Sequence, residues 1–232
     1  MVAHDALPHI VNELEAGRRD AKPLRREGLE PRPKNQNVLT VGITWRSSLR
    51  LNPETFAANP QELRLDLVRQ LGGDFDAQAS IWRKIVPLSA FRPFFDDSRF
   101  QLISIQYGVS EEEKRLLNDT FGDKIGFLDV DFAADFSEVA AKVQELDAVV
   151  AIPNSHAHLA AALGVSTHVL MHETPVPVWA SYANDPIYQD VTLHRKPVQK
   201  GPDGRFFFHY CGDWRETVDR VRQTILKDFG LL

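Results

Sequence analysis

The sequence predicts a three-layer α/β fold built on a mainly parallel sheet, and three observations carry that expectation. Short apolar runs rich in β-branched residues recur at 38–45, 100–105, 125–128, 148–152 and 167–171. From Phe100 onward, stretches with helical apolar spacing separate them. Three polar residues stand three positions ahead of a glutamate where such helices should start. Alternation of this kind is the pattern of strands joined by right-handed helical crossovers, with helices covering both faces of the sheet.

Composition sets the frame for that fold. The 232 residues are 43% hydrophobic and 25% charged, which is ordinary for a globular chain. A net charge of -5 with both signs interspersed leaves no broad basic surface for a phosphate backbone, so nucleic acid is not expected as a partner. A single cysteine, Cys211, excludes an intrachain disulfide framework and a thiolate zinc cluster, which fits a reducing, cytoplasmic setting. No apolar run approaches the roughly 20 residues that span a bilayer, so no integral membrane segment is expected.

Residues 1–36 read as a linker or tail. Arg18, Arg19, Lys22, Arg25, Arg26, Arg32 and Lys34 are interrupted by Pro23, Pro31 and Pro33, with almost no large apolar residues to bury. The domain proper is expected over 37–232. It opens with a strand at 38–45, and 49–81 reads as an insertion whose Leu63, Leu67, Val68 and Leu71 have helical spacing. Further on, Ser110 with Glu113, Asp135 with Glu138, and Asp213 with Glu216 have the spacing of reciprocal helix caps. The helix after Asp135 carries Phe136, Val139, Ala140, Val143 and Leu146 on one face, and the last helix carries Trp214, Val218, Val221 and Ile225.

Residues 146–164 carry the chemistry. LDAVVAIPNSHAHLAAALG reads as strand, turn, helix and stop. Asn154 or Ser155 can cap the helix, and Gly164 can take the left-handed conformation that ends it. The alanines allow the helix backbone to approach the sheet closely. In parallel sheets a ligand sits beyond the strands' carboxyl ends, where the first turn of a helix presents N–H groups and the positive end of its dipole to an anion. A plain capped helix has the same local sequence, so the turn alone leaves both readings open.

The segment LDAVVAIPNSHAHLAAALGVSTHVLM resembles the LDLVISVDTxxAHLAGALG stretch of the donor domains of GT-B glycosyltransferases, in particular the tetratricopeptide-linked glycosyltransferases and the heptosyltransferases. The likeness extends in order along the chain. Val41-Gly42-Ile43-Thr44-Trp45 resembles their VGxVW strand, PLSAFRPF at 87–94 resembles PLxxLxPL, and Ser104-Ile105-Gln106 resembles SLQ. Asp135-Phe136-Ser137 resembles DFxD, Trp179 and Tyr188 fall near dWxW and WYP, and Gly212-Asp213-Trp214 resembles GDW.

That resemblance implies a Rossmann-like domain forming one half of a GT-B architecture, with a nucleotide diphosphate sugar as donor substrate and no cofactor. It implies that Asn154, Ser155 and His158 surround the donor diphosphate, with Lys84 as a compact positive charge nearby. Trp45, Arg46 and Ser47 after the first strand, and Gln106 and Tyr107 after the second, sit at the sheet's carboxyl edge, where they could contact a base, ribose or sugar, while Trp45 reads equally well as a core residue. The reaction would be metal-independent sugar transfer to a protein or glycan acceptor, and no catalytic base is assigned.

The chain departs from the pattern where relatives carry Asp-Thr and it carries Pro153-Asn154, so an acidic group is absent. A complete GT-B enzyme also needs a second, acceptor-binding half. The expectation is therefore a fragment, a truncated product, or a subunit completed by a partner.

Other chemistries are less supported. His156, His158, His168, His172 and Glu173 lie close in sequence, but His156 and His158 at i and i+2 point apart on a helix, and no HExxH occurs. GxGxxG after the first strand, GxxxxGK[ST] and GxSxG are all missing. The alternatives kept are a noncatalytic nucleotide-binding or assembly module and a protein resembling a nucleotide-sugar epimerase.

Overall fold

The computed structural model describes residues 37–46, 85–130, 136–171, 188, 190–196 and 214–232. The predicted tail at 1–36, the insertion at 49–81, Lys84 and Ser47 lie outside them.

Apolar, β-branched sequence forms the strands: β1 (Leu39–Ile43), β2 (Phe100–Ser104), β3 (Ile125–Phe127), β4 (Ala148–Ala151), β5 (Ser166–Met171) and β6 (Val191–Arg195). They make a six-stranded sheet in the order β3-β2-β1-β4-β5-β6. Every pairing is parallel. The expected α/β architecture is therefore realised, with the strand order of doubly wound, Rossmann-like sheets. The sequence reading gave no strand at β6, whose VTLHR is short and carries two basic side chains.

The helices are α1 (Arg92–Phe95), which follows a 3-10 turn at Leu88–Phe91, α2 (Glu111–Phe121), α3 (Phe136–Gln144), α4 (Ser155–Ala162) and α5 (Arg215–Asp228). Because successive strand residues face opposite sides, the apolar runs feed two cores. Val41, Ile43, Val150 and Leu170 meet Phe94, Leu117, Val218, Val221 and Ile225 on one face. Val149, Ala151, Val169 and Met171 meet Val139, Val143, Ala157 and Ala160 on the other. Thus α1, α2 and α5 cover one side, and α3 and α4 the other.

Helix ends follow local chemistry. Ser110 caps α2, accepting from the Glu113 backbone N–H at 3.1 Å while the Glu113 carboxylate accepts from the Ser110 backbone N–H at 2.9 Å. The spacing of Asp213 and Glu216 predicts a cap at Asp213, but Trp214 occupies the N-cap of α5 and makes no side-chain cap bond. Gly164 has φ of 72° and closes α4. The N–H groups of Gly164 and Val165 return to the carbonyls of Ala161 and Ala160 at 3.1 and 3.0 Å, the paired bonds of a Schellman ending. Among the described residues no helix is long and apolar enough to cross a membrane.

Candidate functional site

In this strand order β1 and β4 are neighbours whose outgoing connections diverge, one toward β2 and the other toward β5. In open α/β sheets such a divergence is where a crevice forms and ligands bind. Residues 44–46 leave β1 at this point, and residues 152–155 leave β4 into α4.

Asn154 is the N-cap of α4. Its Oδ1 accepts from the Ala157 backbone N–H at 3.0 Å, and its Nδ2 donates to Thr44 Oγ1 at 2.9 Å. Thr44 is fully buried, and its own N–H donates to the Val150 carbonyl at 3.1 Å. One side chain therefore starts the helix and ties together the two loops that leave β1 and β4. Ser155, at the first helical position, is exposed. His158 lies one turn along, half-buried, with Nδ1 at 3.2 Å from the Tyr188 hydroxyl and the two rings 5.8 Å apart. Thus Asn154, Ser155 and His158, singled out by sequence, lie together at the start of α4, and the Asn154 side chain reaches the loop after β1.

The residues after β1 and β2 have another visible role. Trp45 is buried in the core. Arg46 and Glu113 form an ion pair whose side chains are only 2% and 5% exposed. Arg46 Nη2 reaches the two Glu113 carboxylate oxygens at 3.0 and 2.9 Å, Nε reaches Oε1 at 3.3 Å, and Nη2 also donates to the Gly108 carbonyl at 3.0 Å. Gln106 Oε1 accepts from the backbone N–H groups of Trp45 and Arg46 at 3.2 and 3.1 Å, and its Nε2 donates to the Tyr107 carbonyl at 3.1 Å. Their polar groups are directed inward, so Trp45, Arg46 and Gln106 shape the loop floor. Tyr107 is 48% exposed at the rim beyond β2.

Of the histidines close in sequence, His156 and His158 lie on α4, and burial lowers the pKa of His156. His168 alternates with Val169 and Met171 along β5, so it points to the sheet face opposite α4. Among the described residues, no group of three or more histidine, cysteine or carboxylate side chains is placed to hold a metal ion.

The sequence gives no sign of the pairings of Thr44 with Asn154, Arg46 with Glu113 or His168 with His194. Thr44 and Asn154 are separated by 110 positions, and Arg46 and Glu113 by 67. No local pattern signals such partners, although the Ser110–Glu113 cap spacing does mark Glu113 as a helix-start residue.

The chain is 26% identical over 207 residues to Protein FlbA of Caulobacter vibrioides, a match covering 88% of this chain and 26% of that protein. It spans about a quarter of the length of that relative. No family model matches the chain, and no solved structure matches it.

Proposed function

We propose that this chain is the nucleotide-sugar-binding domain of a GT-B glycosyltransferase, holding the donor diphosphate at the entrance of α4. The observation that supports this most directly is that Asn154, Ser155 and His158 open the helix that follows β4, beside β1, in a parallel sheet of the order β3-β2-β1-β4-β5-β6. The ordered likeness of its motifs to GT-B donor domains supports the same reading.

The chemistry suits a leaving diphosphate. The first turn of α4 contributes N–H groups and the positive end of its dipole. Ser155 adds an exposed hydroxyl, and His158 supplies a donor or a positive charge as negative charge develops on the leaving group. The asparagine amide is already used once at each end by the helix cap and the Thr44 tie, so its remaining capacity is one N–H and one acceptor direction. The donor is a nucleotide diphosphate sugar, the acceptor a protein or glycan, and an acceptor-binding half completes the enzyme.

Calorimetric titration of the folded chain with UDP, ADP, GDP and their sugars tests this reading. Binding of at least one is expected, weakened in Asn154→Ser combined with Ser155→Ala. Serine replaces asparagine because it is a comparable helix cap. Failure of all donors to bind a folded sample refutes the proposal, and unchanged affinity in the double variant removes the turn from the site.

The loss of the acidic group at Pro153-Asn154 favours a second reading, a binding module without turnover. Sugar transfer or donor hydrolysis by the chain, alone and with an acceptor-binding partner, separates the two.

A further inference from the structure

On the sheet face opposite α4, two imidazoles meet. His168 of β5 and His194 of β6 approach with Nδ1 and Nε2 3.0 Å apart and ring centroids 5.2 Å apart. His168 is almost fully buried, and its Nε2 lies 3.3 Å from Ser166 Oγ. The contact extends the pairing of β6, the edge strand, with β5. We propose that this histidine pair is an acid-sensitive latch, holding β6 and the overlying α5 to the sheet when both rings are neutral and releasing them when the rings take up protons.

The hydrogen bonding fixes what the latch requires. Across the Nδ1···Nε2 contact one ring must donate and the other accept, so at least one ring must keep an unprotonated nitrogen at the contact for the pair to close. Protonating both rings sets two N–H donors against each other. Among the described residues, no carboxylate stands against either ring to compensate that charge.

Ser166 on β5 is neutral. From α5, Arg220 adds a positive charge beside the pair, donating to the Arg195 carbonyl at 3.2 Å and to Thr217 Oγ1 at 3.3 Å. Asp219, next to Arg220 in sequence, is turned to Arg222 and Gln223. Arg195 ends β6 after His194, and Lys196, the next residue, lies over the Trp214 ring with Nζ 5.5 Å from its centroid. Among the described residues no carboxylate is hydrogen-bonded to either imidazole.

Burial, with His194 as the second cause, lowers the His168 pKa to about 3. Burial, with Arg220 as the second cause, lowers the His194 pKa to about 4. Freed into solvent, each ring would titrate near 6.5. Both folded values lie below the open ones, so the latch is at full strength above about pH 6.5 and weakens as pH falls toward 4. At pH 5 an open imidazole is favoured by protonation about 30-fold, so two together favour the open form about 1,000-fold. Corrected for the small effect already present at pH 7, opening of β6 should rise several hundred-fold between pH 7 and pH 5.

Hydrogen exchange of the whole chain at pH 7 and pH 5, corrected for intrinsic rates, reads the opening of each strand. The Val191–Arg195 amides should lose protection by several hundred-fold, while those of β1 and β4 lose much less. In His194→Gln that response should shrink to about 30-fold or less. Unchanged β6 protection overturns the proposal, as does an equal loss in β1 and β4, which marks simple global unfolding. If the variant does not fold, NMR titration of the native imidazoles decides. Rings that stay neutral down to pH 5 support the latch, and titration of His168 or His194 near pH 6.5 overturns it.

Discussion

Replacing Glu113 with alanine is the sharpest test of how the loop beyond β1 is held. The carboxylate does two jobs. It pairs with the Arg46 guanidinium, with both side chains nearly excluded from water, and it accepts the Ser110 N–H at the start of α2. Removing it strands a positive charge in a desolvated position, which costs about 3–5 kcal/mol when a buried pair loses one member. Loss of half of the capping box adds about 1 kcal/mol.

The expected total for Glu113→Ala is therefore about 4–6 kcal/mol, or roughly 8–24 °C in melting temperature at about 2–4 °C per kcal/mol for a domain of this size. Urea unfolding is the assay, read as a lower midpoint at unchanged slope. The double variant Arg46→Met with Glu113→Leu should recover most of the loss, because it removes both charges rather than orphaning one. A cost below about 1 kcal/mol for Glu113→Ala, at unchanged slope, would show that water reaches Arg46 and would refute the argument.

Three other outcomes follow from the same structure. A methyl group added at Gly42 would stand 2.6 Å from Leu146 Cδ1 and 3.3 Å from both Ile105 Cδ1 and Val149 Cγ2, so Gly42→Ala should destabilise by about 1–3 kcal/mol in urea unfolding. Asn154→Ala should cost about 1–2 kcal/mol by losing the cap and the Thr44 bond, and Asn154→Ser should recover the part owed to the cap; equal melts for the two would show that the cap contributes nothing. Asp97 lies between Arg99 and Arg222, and hydrogen bonding to Arg99 leads in lowering its pKa to about 2. Its folded value lies below the ordinary carboxylate value, so its contribution is present above about pH 4 and fades toward pH 2. Acid unfolding of Asp97→Asn followed by circular dichroism should therefore show a shallower stability loss across that window.

How much of this was legible in the chain depends on the range of each interaction. The strands at 39–43, 100–104, 125–127, 148–151 and 166–171 announce themselves through short apolar runs, because a strand buried on both faces needs such a run. The capping box at Ser110 and the α4 entrance at Asn154 are equally readable, since cap chemistry is settled within four residues. β6 is not readable in this way. Thr192, His194 and Arg195 interrupt its apolar residues, and it is a strand because β5 offers it a parallel edge. Arg46 and Gln106 illustrate the same limit within the candidate site. Position beyond a strand's carboxyl end suggests ligand contact, whereas only the folded chain places Glu113 against Arg46 and the loop's N–H groups against Gln106.

The α4 turn consequently carries two loads that sequence could not separate. Asn154 reads as a cap or as a ligand contact, and the fold gives it the cap together with a third task, joining the β1 and β4 loops through Thr44. A ligand seated at the switch point would press on both loops at once, so this tie fixes the crevice floor before anything binds. Preorganisation of that kind limits the ordering cost of binding. It also means that loss of nucleotide affinity in Asn154→Ala would confuse a damaged floor with a missing contact. Ser155, exposed and outside that hydrogen-bonded tie, is the position where a change in affinity without a change in melt would speak for direct contact with the diphosphate.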